Sequence, residues 1–318
     1  MTSSKSLRAA RALPGARRIK RRGPGRQSAL IGFLFLAPLF AGLLVFRLYA
    51  FGYNAWLSFT KAGAFGPPQF NGLDNYRELF SDSQLGVALV NTFKFAVIAV
   101  PAVVIVSLLC ATLMQHRFRG ESVFRGIIFL PAVCLPTAII FVFGWLFQTR
   151  YGLINAMIRS IGASPVSWLG SSTGVTVLVT VIVLYLSFSV PTIILYAGMQ
   201  DIPAEVYEAA TLDGAGRVRR FFSITLPLLG PSLFFVILTT TISVLKLFDV
   251  VYLLLPPEQS TSVNYGMTVL YYYQLAFVGI GQRGYAAAVS LVLFVLIFIV
   301  SLILFRLQRR FVHYGEDG

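Results

Sequence analysis

Phe95-Ala-Val-Ile-Ala-Val-Pro-Ala-Val-Val-Ile-Val-Ser-Leu-Leu-Cys-Ala-Thr-Leu-Met114 is a run of twenty residues without a charge. At 1.5 Å rise per residue, about 20 apolar residues of helix cross a bilayer core. Similar runs occupy residues 28–46, 126–147, 174–197, 228–255 and 285–305, so the expected fold is an all-α membrane protein with six transmembrane helices. The fifth run is the exception, because it carries Lys246 and Asp249. The composition agrees: 318 residues are 57% hydrophobic and 12% charged. Soluble domains hold about 45–50% apolar and about 25% charged residues, so a soluble globular protein is excluded, as is disorder over most of the chain. The first run, at 19 residues, is too long for a signal-peptide core and lacks a clear small-residue cleavage site, so it reads as a membrane anchor.

The net charge of +14 is an orientation signal. Residues 1–27 hold nine Lys and Arg and no acid, and Arg117, Arg119, Arg125, Arg217, Arg219, Arg220, Arg306, Arg309 and Arg310 fall on the same side of a six-span topology. Only seven fall opposite: Arg47, Lys61, Arg77, Lys94, Arg150, Arg159 and Arg283. Positive residues accumulate on the cytoplasmic side, so both termini are expected there. The expected organisation is a basic cytoplasmic tail at 1–27, a transmembrane domain at 28–306 and a cytoplasmic tail at 307–318. A tail that orients the chain and touches anionic lipid explains the basic N-terminus with less than nucleic-acid binding requires. Pro38, Pro101, Pro131, Pro136 and Pro191 lie within spans and should kink them. Outside the membrane the longest loop is expected from about Arg47 to Lys94, with turn signals at Gly66-Pro67-Pro68 and Asn71-Gly72. Leu153, Ile154, Met157, Ile158 and Ile161 recur at helical spacing and predict an amphipathic helix on the outer surface.

Enzyme chemistry finds no support. The chain has no Gly-Lys dipeptide, hence no phosphate-cradling Walker loop. His116 and His313, both in basic segments, make neither a zinc site nor a Ser-His-Asp triad. Gly279-Ile-Gly281-Gln-Arg-Gly284 spells a dinucleotide fingerprint, but it lies between an aromatic stretch and a transmembrane helix rather than in a βαβ unit, so the match is chance. Cys110 and Cys134 sit inside apolar runs and are expected as packed thiols, not a disulfide.

The polar stretch at 201–227 carries the most information. Asp201 is expected to cap a helix whose first turn takes Pro203, with Glu205 and Glu208 near its N-terminal end. Gly214 and Gly216 should end it. Val206, Ala209 and Ala210 share a face where small side chains admit a close-packed partner. A second helical piece follows, with Arg217, Arg219 and Arg220 among Val218, Phe221, Phe222 and Ile224, and Leu226-Pro227 is expected to stop it. This helix–Gly–helix elbow is too apolar on one face for a free loop and reads as a docking element for a cytoplasmic partner.

The run Glu208-Ala-Ala-Thr-Leu-Asp-Gly214, followed by Ile224-Thr-Leu-Pro227, resembles the EAA loop of permease subunits in binding-protein-dependent ABC importers. Phe70-Asn-Gly-Leu-Asp-Asn-Tyr76, Phe124-Arg-Gly-Ile-Ile-Phe-Leu-Pro131, Tyr151-Gly-Leu-Ile-Asn155, Leu247-Phe-Asp-Val-Val-Tyr252 and Gly284-Tyr-Ala-Ala-Ala288 are similar, in order and spacing, to the carbohydrate-uptake branch and its first permease partner (the maltose and glycerol-3-phosphate permease type). The resemblance implies a type I ABC importer permease fold in a bacterial cytoplasmic membrane. It also implies a heterodimer with a second permease, two ATPase subunits that bind ATP and Mg²⁺, and an extracytoplasmic binding protein that delivers the solute. No cofactor and no metal is then expected on this chain. ATPase coupling would fall to Glu205, Glu208, Ala209, Ala210, Asp213 and Gly214, supported by Leu226 and Pro227.

For the substrate pathway the candidates are Lys246, Phe248, Asp249 and Tyr252. On a continuous helix Lys246 and Asp249 share a face, where they either line the pathway or form an ion pair. Aromatic faces suit sugars, and Lys246 would suit a phosphate or an acidic sugar, which keeps glycerol-phosphate-type and amino-sugar cargo open. Leu253-Leu-Leu-Pro-Pro-Glu-Gln259 departs from the family's glycine-rich turn, so contacts there are not carried over. Tyr271, Tyr272, Tyr273 and Gln274 either line the outer mouth or form an interfacial belt. Competing classes are an ion-driven secondary transporter, which calls for inverted repeats, and a membrane enzyme, which calls for converging catalytic groups; neither pattern is found.

Overall fold

The computed structural model describes residues 26–115, 119–255, 265–278 and 281–311. Most of the basic tail, His116, Arg117, residues 256–259, Gly279 and His313 lie outside the described residues. The chain divides into two units, residues 1–53 and residues 54–318. In the first, helix α1 (Arg26–Leu43) runs through Pro38 without a break and passes into a π-helical turn, Leu44–Tyr49, and then into α2 (Ala50–Leu57).

The second unit is helical apart from one small hairpin. Strands β1 (Thr60–Lys61) and β2 (Gln69–Phe70) pair antiparallel, Thr60 opposite Phe70. Gly66 and Gly72 adopt the positive φ that the turn signals required, at +90° and +64°. The helices that follow are α3 (Asp74–Ser81), α4 (Ser83–Gln115), α5 (Glu121–Val133), α6 (Pro136–Leu146), α7 (Leu153–Ser160), α8 (Ser172–Ser187), α9 (Ser189–Gln200), α10 (Ala204–Leu212), α11 (Arg217–Arg220), α12 (Leu226–Leu228), α13 (Gly230–Leu245), α14 (Asp249–Leu254), α15 (Thr268–Phe277) and α16 (Arg283–Phe311). The loop expected from Arg47 to Lys94 is therefore largely structured, and Lys94 lies inside α4.

Among the described residues three helices are long and apolar enough to cross a membrane: Phe33–Leu57, Ser83–Gln115 and Arg283–Gln308. Three further candidates are broken. Glu121–Val133 and Pro136–Leu146 meet at 101°, Ser172–Ser187 and Ser189–Gln200 at 51°, and Arg217–Leu228 and Gly230–Leu245 at 71°. The first two breaks have proline causes. Pro136 takes the first turn of α6, and Leu135 before it is held extended at ψ 117°, the restriction proline places on its predecessor. Pro191 has no N–H for the Ser187 carbonyl four residues back, and the bend falls beside it. Ser107 Oγ, from α4, donates to the Phe188 carbonyl at 3.1 Å and Ser189 Oγ donates to Ile128 at 2.6 Å, so neighbours satisfy polar groups around the bend. Pro101 interrupts nothing: α4 continues through it for 33 residues.

Helix α4 is the spine, packed by α8, α9, α13 and α15. Ala99, Val103, Ser107 and Ala111 are fully buried along it, small or β-branched groups that let the other helices approach. The main core gathers Phe95, Ile140, Leu178, Ile182, Leu245, Leu255, Met267 and Leu270 from five helices and the flanking segments. Cys110 and Cys134 are unpaired and half-buried, as expected of structural thiols.

Polar clasps hold the segments that join the long helices. Asn155 of α7 donates to Thr149 and Val166 carbonyls at 3.0 and 2.8 Å and accepts from Val166 N–H at 3.0 Å. That anchors α7, the predicted amphipathic helix, with Leu153 and Met157 exposed. Asp82 caps α4: one oxygen accepts the Gln84 and Leu85 N–H groups at 2.8 and 3.2 Å, the other the Tyr271 and Tyr285 hydroxyls at 2.5 and 2.6 Å. Partial burial pushes this carboxyl up, but the tyrosine and backbone hydrogen bonds outweigh it and hold the group below the ordinary carboxylate range. A depressed folded-state pKa supplies stability that is full above the unfolded value, about 3.9, and is lost as pH falls through the folded value. Asp82→Asn is expected to lower thermal stability of the detergent-purified protein at pH 7 by about 1–3 kcal/mol and to flatten the dependence below about pH 4. A variant that melts with the wild type at both pH values would refute the clasp.

Candidate functional site: the elbow and the broken fifth span

Helix α10 begins later than the sequence predicts. Asp201 is helical and closes α9, its N–H bonded to Ala197, while Pro203 rather than Asp201 occupies the capping position of α10, with no side-chain cap. The proline explains the shift: it fixes φ and forces the preceding residue out of the helical region. At the other end the N–H of Gly214 reaches Thr211 and that of Ala215 reaches Ala210, at 3.0 and 2.9 Å. With φ +74° at Gly214, this is a Schellman stop.

The elbow's residues divide by exposure. Glu205, Glu208, Ala209, Asp213 and Gly214 face outward. Ala210 is 8% exposed and packs inward, so the small-residue face predicted from Val206, Ala209 and Ala210 is split. The apolar groups presented instead are Leu212, 90% exposed, Val218 at 71% and Phe222 at 61%. Leu212 was absent from the sequence-based candidates; its place beside the glycine stop in a charged stretch was the available signal. Two bonds brace the elbow: Tyr207 to Thr225 between hydroxyls at 3.0 Å, and Arg220 Nη1 donating to Thr211 at 2.8 Å. Leu226-Pro227 does not stop the second piece. The chain continues through a π-helical turn, Phe221–Thr225, into α12, with Pro227 in its first turn, and bends at Leu229.

The fifth span does not run through its charges. Helix α13 ends at Leu245, Lys246 closes it, Phe248 lies off the helical region at φ −131° and ψ −56°, and α14 starts at Asp249. Lys246 and Asp249 therefore flank a break instead of sharing a helix face. Both are exposed, and among the described residues they form no ion pair. The break brings the aromatic candidates together. Phe248 and Tyr252 stack with centroids 5.0 Å apart and planes 19° apart, and Tyr273 of α15 lies 5.1 and 5.0 Å from them. Of the three adjacent tyrosines only Tyr273 joins this cluster; Tyr271 is held by Asp82. Stacked, half-buried rings with a hydroxyl edge are suited to the apolar face of a sugar ring.

Broken, kinked helices around one long spine, with an elbow of exposed apolar residues between two candidate spans, make up a helical membrane bundle. The family model described as "Binding-protein-dependent transport system inner membrane component" matches residues 79–313, and the chain belongs to that family. It is similar to the probable ABC transporter permease protein YesP of Bacillus subtilis (32% identical, 94% of this chain and 97% of the relative). It is also similar to the trehalose/maltose transport system permease protein MalF of Thermococcus litoralis (32%, 89% and 95%). A chain from the crystal structure of a bacterial alginate ABC transporter, in complex with an alginate pentasaccharide-bound periplasmic protein, superposes with a TM-score of 0.79 over 91% of this chain and 97% of its own length, at 20% identity. The protein is thus a non-catalytic permease component of an ABC importer.

Proposed function

We propose that this chain pairs with a second permease to form the pathway of an importer for a sugar or sugar-like solute delivered by an extracytoplasmic binding protein. In this reading three continuous helices and three broken pairs make six spans, residues 28–306 form the membrane domain, and the tails at 1–27 and 307–318 are cytoplasmic. The membrane is the cytoplasmic membrane of a bacterium, as the positive-inside bias supports. Two separate ATPase subunits bind ATP and Mg²⁺. The sugar assignment draws on the maltose and alginate relatives and on the Phe248–Tyr252–Tyr273 cluster.

The observation that carries the reading is the elbow. A glycine-stopped helix braced from behind presents Leu212 with Glu205, Glu208, Ala209 and Asp213 around it. An apolar tip ringed by acids fits a cleft that is hydrophobic at its floor and basic at its rim. Ala210, Leu226 and Pro227 hold the elbow's shape. ATPase closure then draws the two permeases' elbows together and rocks the bundles between inward-open and outward-open states. Affinity purification of the tagged chain from native membranes is expected to retain an ATPase subunit and a second permease. Transport by the isolated chain in liposomes without an ATPase would overturn the reading in favour of a carrier.

A further inference from the structure

A groove of about 470 Å³ lies between α4 and α8, and none of Phe248, Tyr252 and Tyr273 lines it. Its polar lining is Asn91, Lys94, Ser172, Thr173, Thr176, Thr180 and Tyr265. Lys94 sits eleven residues into α4, about 17 Å from its start. Among the described residues it makes no ion pair, and neither Asp nor Glu lines the groove. An unpaired ammonium on a membrane-spanning helix is costly unless it meets water or a counter-charge.

The opposite wall supplies a second unmet group. Tyr265 is 2% exposed, and its hydroxyl, though near Thr176, makes no hydrogen bond. Buried hydroxyls are nearly always satisfied, so one left open beside a cavity marks a missing partner. The neighbours are committed elsewhere: Thr176 donates to the Ser172 carbonyl at 2.8 Å and Asn91 to the Gly266 carbonyl at 3.2 Å. Thr180 donates to the Thr176 carbonyl at 2.7 Å, so the donors left for an occupant are the Lys94 ammonium, the Tyr265 phenol and the Ser172 and Thr173 hydroxyls, without a competing carboxylate. Ile98 and Val177 give the groove an aliphatic side, which suits a ring bearing an acid better than a bare inorganic ion.

We propose that this groove binds the anionic group (carboxylate, sulfonate or phosphate) of an acidic sugar cargo, with Lys94 as counter-charge and Tyr265 as hydrogen-bond donor. The proposal rests on the importer reading. It moves recognition of an acidic cargo from Lys246 at the helix break to Lys94, which is likewise exposed and which in the sequence served only to orient the chain.

The test uses the importer assembled with its partner subunits in phosphatidylcholine vesicles. The probes are radiolabelled digalacturonate, sn-glycerol 3-phosphate and neutral maltose, each followed by uptake and by thermal stabilisation of the complex. At least one acidic probe is expected to be bound and transported. Lys94→Gln should raise its KM at least about tenfold, Tyr265→Phe about threefold, and Lys94→Arg should stay within about twofold of wild type. The proposal is overturned if Lys94→Gln keeps the wild-type KM, or if no acidic probe is transported or stabilises the complex. It also falls if Lys94→Gln matters only when phosphatidylglycerol is present, because the anion is then a lipid headgroup. Transport of maltose alone sinks the anion groove and leaves the importer standing; a purified chain without any ATPase subunit sinks the importer.

Discussion

Gly214→Asp should reduce uptake by at least about 100-fold, with the protein still inserted at wild-type levels. Gly214 closes α10 at φ +74°, and a Cβ built there meets nothing within 4 Å. The local cost is therefore confined to backbone strain, about 1–2 kcal/mol for a non-glycine residue in the left-handed region, and Asp is among the residues that tolerate it best. The large effect comes from what the elbow is proposed to do. An added carboxylate beside the exposed Leu212 would be carried onto the hydrophobic floor of the cleft, inside the basic rim that Asp213 and the other acids meet, which costs several kcal/mol per buried ion. Gly214→Ala is the control, since it imposes similar strain without charge and is expected to retain most transport. Uptake, ATPase activity and membrane level measured together decide the matter, and normal uptake by Gly214→Asp sinks the coupling assignment.

What the chain alone disclosed depended on whether the cause was local. The helix break at Leu135 and the bend beside Pro191 follow from prolines visible in the sequence. The break between Leu245 and Asp249 has neither proline nor glycine, so hydropathy carried the helix through it and placed Lys246 and Asp249 on one face. The turn at Gly214 was legible because a left-handed stop needs glycine. Asp82, Tyr271 and Tyr285 were not, since the carboxylate and the hydroxyls that surround it lie 189 and 203 residues apart. Tyr273 was separated from Tyr271 and Tyr272 only by how α15 packs, which puts its ring on Phe248 and Tyr252 and theirs elsewhere. The same applies to Lys94 and Tyr265, an ordinary basic residue and an ordinary aromatic until α4 and α8 bring them to one groove.

Gly284→Ala is expected to be among the most damaging single methyls at the described residues, lowering stability by about 3 kcal/mol or more. Gly284 closes a chance likeness to a dinucleotide fingerprint, and its requirement for glycine has a different source. It opens α16, where its N–H donates to the Ala62 carbonyl at 3.2 Å and the hairpin backbone lies directly over it. A Cβ at this position would stand 2.0 Å from the Thr60 carbonyl oxygen and 3.0 Å from the Ala62 nitrogen, both backbone atoms. A flexible side chain could swing away; a carbonyl cannot without taking its neighbours along. Asn75 donates to that same Thr60 oxygen at 2.9 Å and to the Ser58 carbonyl at 2.7 Å, and Thr60 pairs with Phe70 in the hairpin. Displacing Thr60 therefore loosens α3, the hairpin and the start of α16 together, with buried polar groups left open as each bond is lost. Gly266→Ala supplies the contrast, for a Cβ there meets nothing within 4 Å and φ is unremarkable, so its effect should stay within about 1 kcal/mol. Thermal unfolding of both variants in detergent, alongside their levels in the membrane, reads the difference. Equal stability would mean that the Thr60–Ala62 backbone does not sit on the start of α16 as described.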